Sequence, residues 1–238
     1  MNKMKAIILA AGVGRRLSPL TDTTPKCLIR IAGATILERM LDSLVSAGTK
    51  DICLVAGHLK DKIKLVVGQN YKGAVIRYML NPDYERGSIL SVWSARNCFD
   101  DDILLMDSDV LFEKAVLEKL VKSKNENCFL IDTNYTESGE EMKIAVLKKK
   151  VVQIARHITQ EHDEIGEGVG FLKLSAKYRK EFLDVFKTAV ARDKDCDYEN
   201  ALDELVRRIP VGFEDITGLR WTEIDFEADI EKAKALNL

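Results

Sequence analysis

The sequence has no strong excess of one charge, no long apolar run and no metal-binding cysteine pattern. Its formal charge at pH 7 is only −2. That balance argues against broad electrostatic binding of nucleic acid, which needs a clustered basic surface. The basic triplet Lys148-Lys149-Lys150 reads as a solvated hairpin turn. The five cysteines are scattered without a CxxC pair. His58, His157 and His162 also lack ligand spacing, so no zinc site is expected. An odd cysteine count without a leader-like segment predicts free thiols in a reducing cytoplasm. The apolar run at 4–11 is too short to cross a bilayer, and polar loop residues follow it. Neither a membrane nor a nucleic acid is therefore expected as partner. No repeat, low-complexity stretch or Pro/Gly/Ser-rich linker divides the chain, which predicts a single domain over 1–238.

What is present is an α/β rhythm. Strands are expected over 6–9, 51–56, 74–80 and 103–106. Between and after them, Ile36, Leu37, Met40, Leu41, Leu44 and Val45 recur at helical spacing, as do Ile63, Val66 and Val67, and Val116, Leu117, Leu120 and Val121. A helix over 88–97 would turn Ile89, Val92 and Trp93 inward. This alternation predicts a mostly parallel sheet with helices on both faces. Later the rhythm changes. Runs at 128–132, 143–147, 151–156 and 169–174 arrive with little helix between them and predict mixed or antiparallel additions. Helices near 176–189 and 198–207, a strand-like run at 221–226 and a terminal helix complete the pattern. Ligands of open α/β sheets bind outside the carboxyl ends of the strands. Three promising segments, 11–16, 56–58 and 107–109, lie at such ends.

The first of these carries the most chemistry. The strand runs through Leu9-Ala10-Ala11 into Gly12-Val13-Gly14-Arg15-Arg16-Leu17, and Pro25-Lys26 follow. Glycines admit a close backbone, N–H groups point at oxygens, and Arg and Lys neutralise charge, which suits a polyphosphate. Leu17 replaces the third glycine of a dinucleotide fingerprint, and no Gly-Lys-Ser/Thr P-loop exists. A nicotinamide-dependent oxidoreductase is thereby disfavoured. In Asp107-Ser108-Asp109 two carboxylates leave a buried strand, and both face one side if the strand continues. Such a pair repels unless a cation joins it, and Mg2+ prefers carboxylate oxygen beside phosphates. Alternatively, Asp109 caps a helix beginning near Glu113. Asp225 is either a second ligand or a cap for 228 onward. The polar stretch from Asn81 to Ser88 leads into a helix N-terminus, which can receive an anion or contact a base, or simply be capped by Ser88. Glu167 enters a strand from a loop and is a candidate substrate contact. Asp197-Tyr198-Glu199 either lines an acceptor pocket or starts a helix. Tyr84, Trp93, Tyr198 and Trp221 are either core or a cage for a quaternary amine.

The series Leu9-Ala10-Ala11-Gly12-x-Gly14-x-Arg16-Leu17 with Pro25-Lys26-Cys27-Leu28 resembles the signature of nucleoside-triphosphate:sugar-phosphate nucleotidyltransferases. The likeness continues through Val55-Ala56-Gly57, Asn81-Pro82-x-Tyr84, Asp107-x-Asp109, Gly166-Glu167-x-Val169-Gly170 and Glu223-Ile224-Asp225. The later segments resemble small cytidylyltransferases that activate phosphocholine, inositol phosphate or phosphonates. The resemblance implies a Rossmann-like, glycosyltransferase-A-type α/β domain and a Mg2+ cofactor. It implies that Gly12, Gly14 and Arg16 grip the triphosphate, that Lys26 stabilises charge at the α-phosphorus, and that Asp109 and Asp225 hold the metal with Asp107 close by. Ala10, Gly57 and Ser88 would border the nucleoside, with Leu9, Ala11, Arg15, Asn81 and Asp107 completing the nucleotide set. Arg156, Glu167, Asp197 and Tyr198 form the expected acceptor set. Two departures stand out: Gly87-Ser88 where related enzymes often carry Asn-Asn, and Arg156 where some carry Lys. Arginine holds an oxyanion through a planar fork that lysine lacks. The implied reaction is Mg2+-dependent transfer of CMP from CTP to a small phosphorylated alcohol or phosphonate, releasing pyrophosphate. The runners-up are a sugar-1-phosphate nucleotidyltransferase using UTP, GTP or dTTP, and a non-catalytic nucleotide-binding module. A homo-oligomer stays open.

Overall fold

The computed structural model describes residues 4–238. Ten strands build the main sheet. They are β1 (Lys5–Ala10), β2 (Asp51–Ala56), β3 (Asn70–Tyr71), β4 (Ala74–Leu80) and β5 (Ile103–Asp107), then β6 (Cys128–Asp132), β7 (Lys143–Leu147), β8 (Lys150–Ala155), β9 (Glu164–Leu174) and β10 (Gly212–Asp215). The path across the sheet is β8-β7-β9-β5-β1-β2-β4-β3, with β6 and β10 branching from β9. Strands β5, β1, β2 and β4 are mutually parallel. Their carboxyl ends therefore bring Ala10, Ala56, Leu80 and Asp107 to one edge of the sheet.

Helices α1 (Ile36–Ser46), α2 (Lys60–Val67), α3 (Ile89–Ser94), α4 (Lys114–Lys122), α5 (Arg179–Arg192), α6 (Tyr198–Val206) and α7 (Glu227–Ala235) surround this sheet. Alternation along β1 divides the layers. Ala6 and Ile8 pack with Leu37 of α1, Ile63 of α2 and Val116 of α4. Ile7, between them, packs with Ile89 of α3, Phe182 of α5 and Leu202 of α6. Both faces of the parallel strands are thus covered, and each fully buried Leu or Ile contributes roughly 1.5–3 kcal/mol. The start of α1 is fixed by a capping box: Glu38 N donates to Thr35 Oγ1 at 3.0 Å and Thr35 N to Glu38 Oε2 at 2.8 Å.

The late strands are mixed as expected. β9 runs antiparallel to β5 at its far end and to β7 at its near end. It is longer than the apolar run at 169–174 predicts, because Glu164 to Gly168 gain partners on β7 and β6 despite their polarity. The lysine triplet forms the β7–β8 turn, where Lys148 and Lys149 both take positive φ, 49° and 65°. β10 was not anticipated; it carries few apolar residues and exists by pairing parallel to β6. Trp93 is only half-buried and stacks under the Arg96 guanidinium at 5.2 Å instead of facing fully inward. Among the described residues, no helix is long and apolar enough to cross a membrane.

Candidate active site

Gly14 begins the cradle. Its φ of 68° is left-handed, a conformation that costs other L-residues about 1–2 kcal/mol. A Cβ there would lie 3.1 Å from Thr21 Cγ2 and 3.5 Å from Lys26 Cβ. Thr21 Oγ1 and Leu17 N both donate to Gly14 O, at 2.8 and 3.0 Å, and close the turn. Arg15 and Arg16 follow in a single 3-10 turn. Leu17 has its own reason to be apolar: it is buried with Ile29, Ile36, Leu111 and Ile224. That small core ties the basic loop to the segment that carries Glu223 and Asp225.

Pro25 opens a second 3-10 turn, Lys26–Leu28, in which Cys27 and Leu28 are buried. Lys26 is left to project into the cleft. Its Nζ donates to Asp109 Oδ2 at 2.7 Å and to Asp225 Oδ1 at 2.5 Å. Burial pulls the ammonium down, but the two carboxylates outweigh it and hold the group above its ordinary value. Lys26 is a fixed cation.

Asp109 and Asp225 meet through a small ladder. Val110–Phe112 runs antiparallel to Trp221–Glu223, with Val110 opposite Glu223. Ile224 N then donates to Asp109 O at 3.1 Å. One carboxylate oxygen each from Asp109, Glu223 and Asp225 lie within 4.8 Å of one another. Asp109 Oδ1 is buried without a hydrogen-bond partner. Neither aspartate caps a helix. Glu113 precedes α4, and Asp229 Oδ2 accepts the N–H groups of Asp225 and Phe226 at 3.1 and 2.8 Å. An all-oxygen donor set with an orphaned lone pair fits a hard divalent cation. Glu223, in the Glu223-Ile224-Asp225 run, is a member of this cluster that was not expected as a ligand. Its signal was the period-two spacing to Asp225. Burial, and then the charges of Asp109 and Asp225, push its carboxyl up to about 9.

Asp107 behaves differently from Asp109. The strand ends at Asp107, so the expected alternation stops there. Its Oδ2 accepts the Tyr198 hydroxyl at 2.6 Å, and it takes no part in the Asp109–Glu223–Asp225 set. Gly170, at φ +75°, makes room for it; a Cβ there would strike the Asp107 carboxylate.

Two cavities meet at this centre. The first, about 620 Å³, lies over the glycine loop, and the second, about 730 Å³, lies over β9 and the acidic strand. Arg16, Asp107, Tyr198 and Asp225 line both. Arg16 donates to Glu140 Oε2 at 2.9 Å and to Asp225 Oδ2 at 3.2 Å, and its guanidinium lies 5.2 Å from the Phe226 ring centroid.

The structure brings most expected site residues together. Leu9, Ala10, Ala11, Gly12, Gly14, Arg15, Lys26, Ser88 and Asp109 line the first cavity. Arg156 and Glu167 line the second. Asp197, expected on the acceptor side, lines the first cavity and accepts from Arg156 at 3.3 Å. Asn81 and Gly57 do not line either cavity. Asn81 is buried, and its amide donates to Ser91 Oγ at 3.1 Å while Oδ1 accepts Asp83 N at 3.0 Å, so it shapes the loop. Gly57 allows tight packing, since a Cβ there would stand 2.5 Å from Tyr84 Cβ and 2.8 Å from Ala11 O. Ser88 Oγ accepts Tyr198 N at 2.9 Å instead of capping its own helix. Of the four aromatics, Tyr84 and Tyr198 line the first cavity and Tyr198 and Trp221 the second, whereas Trp93 lines neither.

The second cavity is acidic. Glu141, Glu167, Glu199 and Glu223 are among its walls, against the cations Arg16, Arg156 and Lys232. Burial, then Glu141 and Asp132, push Glu167 up to about 7. Burial also pushes Glu199 up to about 8, helped by Asp197 and Glu223.

A glycine-lined cavity walled by Arg15, Arg16 and Lys26, beside an oxygen-only cluster just past the carboxyl end of β5, suits a nucleoside phosphate in an α/β enzyme. The family model described as Nucleotidyl transferase matches residues 5–142, and the chain belongs to that family. It is 40% identical over 118 residues to the CMP-5'-(3-aminopropyl)phosphonate synthase of Streptomyces rubellomurinus, covering 49% of this chain but only 19% of that protein. It is 26% identical to the CTP:phosphoglutamine cytidylyltransferase of Campylobacter jejuni, over 96% of this chain and 98% of that one. Among solved structures, the inositol-1-phosphate CTP transferase from T. maritima superposes with a TM-score of 0.80 at 21% identity, covering 100% of this chain and 98% of that one. This last likeness concerns the mixed, mostly parallel Rossmann-like fold.

Proposed function

We propose that the chain is a cytidylyltransferase. It transfers CMP from CTP to a small phosphate- or phosphonate-bearing acceptor that also carries an ammonium group, and it releases pyrophosphate. The observation that carries this reading is the pair of cavities that share Arg16, Asp107, Tyr198 and Asp225, one glycine-lined and holding Lys26 and Asp109, the other acidic and aromatic. Relatives named for CTP chemistry on phosphonate and phosphate acceptors support it.

The glycine loop binds the triphosphate through backbone N–H groups, with Arg15 and Arg16 as counter-charges. Lys26 neutralises charge growing at the α-phosphate. An acceptor oxygen attacks the α-phosphorus in line, a P–O bond forms, and the bond to pyrophosphate breaks. The nucleophile is already anionic, so catalysis rests on positioning and charge stabilisation. Asp109 and Asp225, with Glu223, would hold Mg2+. When bound, that ion supplies Lewis-acid polarisation of the phosphates and relieves repulsion between the two anionic reactants. Arg156 suits the acceptor oxyanion through its planar fork, Tyr198 and Trp221 suit an ammonium end by cation–π attraction, and Glu167 and Glu199 add negative charge when that cation draws off their protons. A neutral sugar phosphate makes poor use of so acidic a wall. We treat 1–238 as one catalytic unit, since strands of the one main sheet border both cavities, and place the reaction in the cytoplasm, where CTP is available.

Pyrophosphate release across four nucleoside triphosphates, with aminoalkylphosphonates, phosphocholine and glucose 1-phosphate as acceptors, tests the reading. Turnover is expected with CTP and an amine-bearing acceptor. Preference for glucose 1-phosphate with UTP or dTTP would replace it with sugar-nucleotide synthesis. CTP binding without turnover on any acceptor would leave a binding module.

A further inference from the structure

Cys53 and Cys98 have no part in the chemistry above, and neither lines a cavity. Cys53 sits in the middle of β2, beside Ile7 of β1 and Arg77 of β4. Cys98 ends the 3-10 turn Arg96–Cys98 that follows α3. Both residues are buried, at 2% and 5% exposure. Their sulfurs lie 2.9 Å apart although 45 positions separate them in the chain. That is inside the ordinary contact distance of about 3.5–4.0 Å between non-bonded atoms. It is roughly 0.9 Å beyond a disulfide bond of about 2.05 Å. The other cysteines differ. Cys27 and Cys128 are buried with no sulfur neighbour among the described residues, and Cys196 donates to Asp193 O at 3.2 Å.

We infer that Cys53 and Cys98 form a built-in site of disulfide modification, closed by a peroxide and opened by a thiol reductant. The Cys98 thiolate attacks a peroxide oxygen, the O–O bond breaks, and one water leaves after protonation. The Cys98 sulfenic acid is then attacked by Cys53 sulfur; an S–S bond forms, the S–O bond breaks, and a second water leaves. Two thiols and one hydrogen peroxide thus give one disulfide and two waters. Cys98 is the entry point. It lies under a single turn whose Arg96 and Asn97 are exposed, so a small local opening admits the oxidant. The thiol of Cys98 is lowered by its contact with Cys53, which agrees with its role as the attacking sulfur. The consequence lies in the fold. The cross-link would pin the end of α3 to β2, and α3 begins beside Ser88 and carries Ser91, both in the wall of the first cavity. Closing a loop of this length restricts the unfolded chain and raises the thermal midpoint.

The test needs no acceptor, so it succeeds or fails independently of the cytidylyltransferase reading. Native protein is treated with hydrogen peroxide or with a thiol reductant, denatured, alkylated and digested without reduction, and the peptides are weighed. Expected from the oxidised sample is one linked peptide pair joining Cys53 to Cys98, lighter by two hydrogens and absent after reduction. Cys27 and Cys128 should be recovered alkylated. The oxidised protein should melt at a higher temperature than the reduced protein. Cys98→Ala should return Cys53 as a free thiol and abolish the oxidation-dependent melting shift; the wild-type map decides the question if that variant does not fold. Recovery of both Cys53 and Cys98 as alkylated thiols, at a peroxide dose that has already oxidised Cys196, would overturn the inference. So would a linkage of either cysteine to Cys196.

Discussion

Lys26 donates to Asp109 across 2.7 Å, although 83 positions separate them in the chain. The contact joins the turn after the basic loop to the carboxyl end of β5. The same Nζ reaches Asp225 at 2.5 Å. One cation therefore ties the turn after the glycine loop to two of the three carboxylates of the acidic cluster.

Replacing Lys26 should damage chemistry more than substrate binding. Loss of one electrostatic donor to a developing oxyanion costs about 2.7–4 kcal/mol of barrier. Lys26→Ala is expected to lower kcat on the order of a hundredfold or more, with CTP affinity changed far less and circular dichroism unaltered. Steady-state kinetics with saturating Mg2+ measure this, and near-normal kcat would remove Lys26 from the reaction.

The acidic cluster makes a prediction in protons. Burial and its two neighbours push Glu223 up to about 9, so it is protonated at pH 7 without a metal. A divalent cation needs the carboxylate and should expel that proton. Calorimetric titration with Mg2+ in buffers of different ionisation enthalpy should show release of roughly one proton per ion. Glu223→Gln should abolish the buffer dependence. A wild-type heat independent of buffer would show that Glu223 gives up no proton to the ion.

Glu167 gives a pH dependence of stability. Its carboxyl is raised from 4.5 to about 7, chiefly by burial. The folded state then binds the extra proton, so the contribution is fully present below about 4.5 and lost as pH rises through 7. Glu167→Gln cannot ionise. Compared with wild type, it should gain relative stability between pH 5 and 8, as measured by urea unfolding across that range. A constant difference between the two proteins would mean that Glu167 titrates normally.

Much of this centre was legible in the sequence because it depends on local pattern. The run into Gly12 and Gly14, the Arg and Lys that follow, and the α/β alternation each carry a short-range signal. Asp107 lies in the wall of the glycine-loop cavity as expected, but the shared face with Asp109 holds only while the strand continues, and β5 ends at Asp107. Asn81 and Gly57 are expected at the nucleotide from the resemblance, which carries no packing information; in the fold neither lines a cavity, and they meet Ser91 and Tyr84. Glu223 entered through a ladder between Val110–Phe112 and Trp221–Glu223, and no local pattern reports a pairing over that separation. β10 was invisible for the same reason, since its pairing with β6 is set by the surrounding fold.

The convergence itself is tested most directly by a crystal structure with Mg2+ and a non-hydrolysable CTP analogue. Expected is a triphosphate in the cavity over Gly12 and Gly14, with Lys26 beside the α-phosphate and the ion on Asp109 and Asp225. A nucleotide bound elsewhere, or an ion that leaves Asp109 and Asp225 untouched, would contradict it.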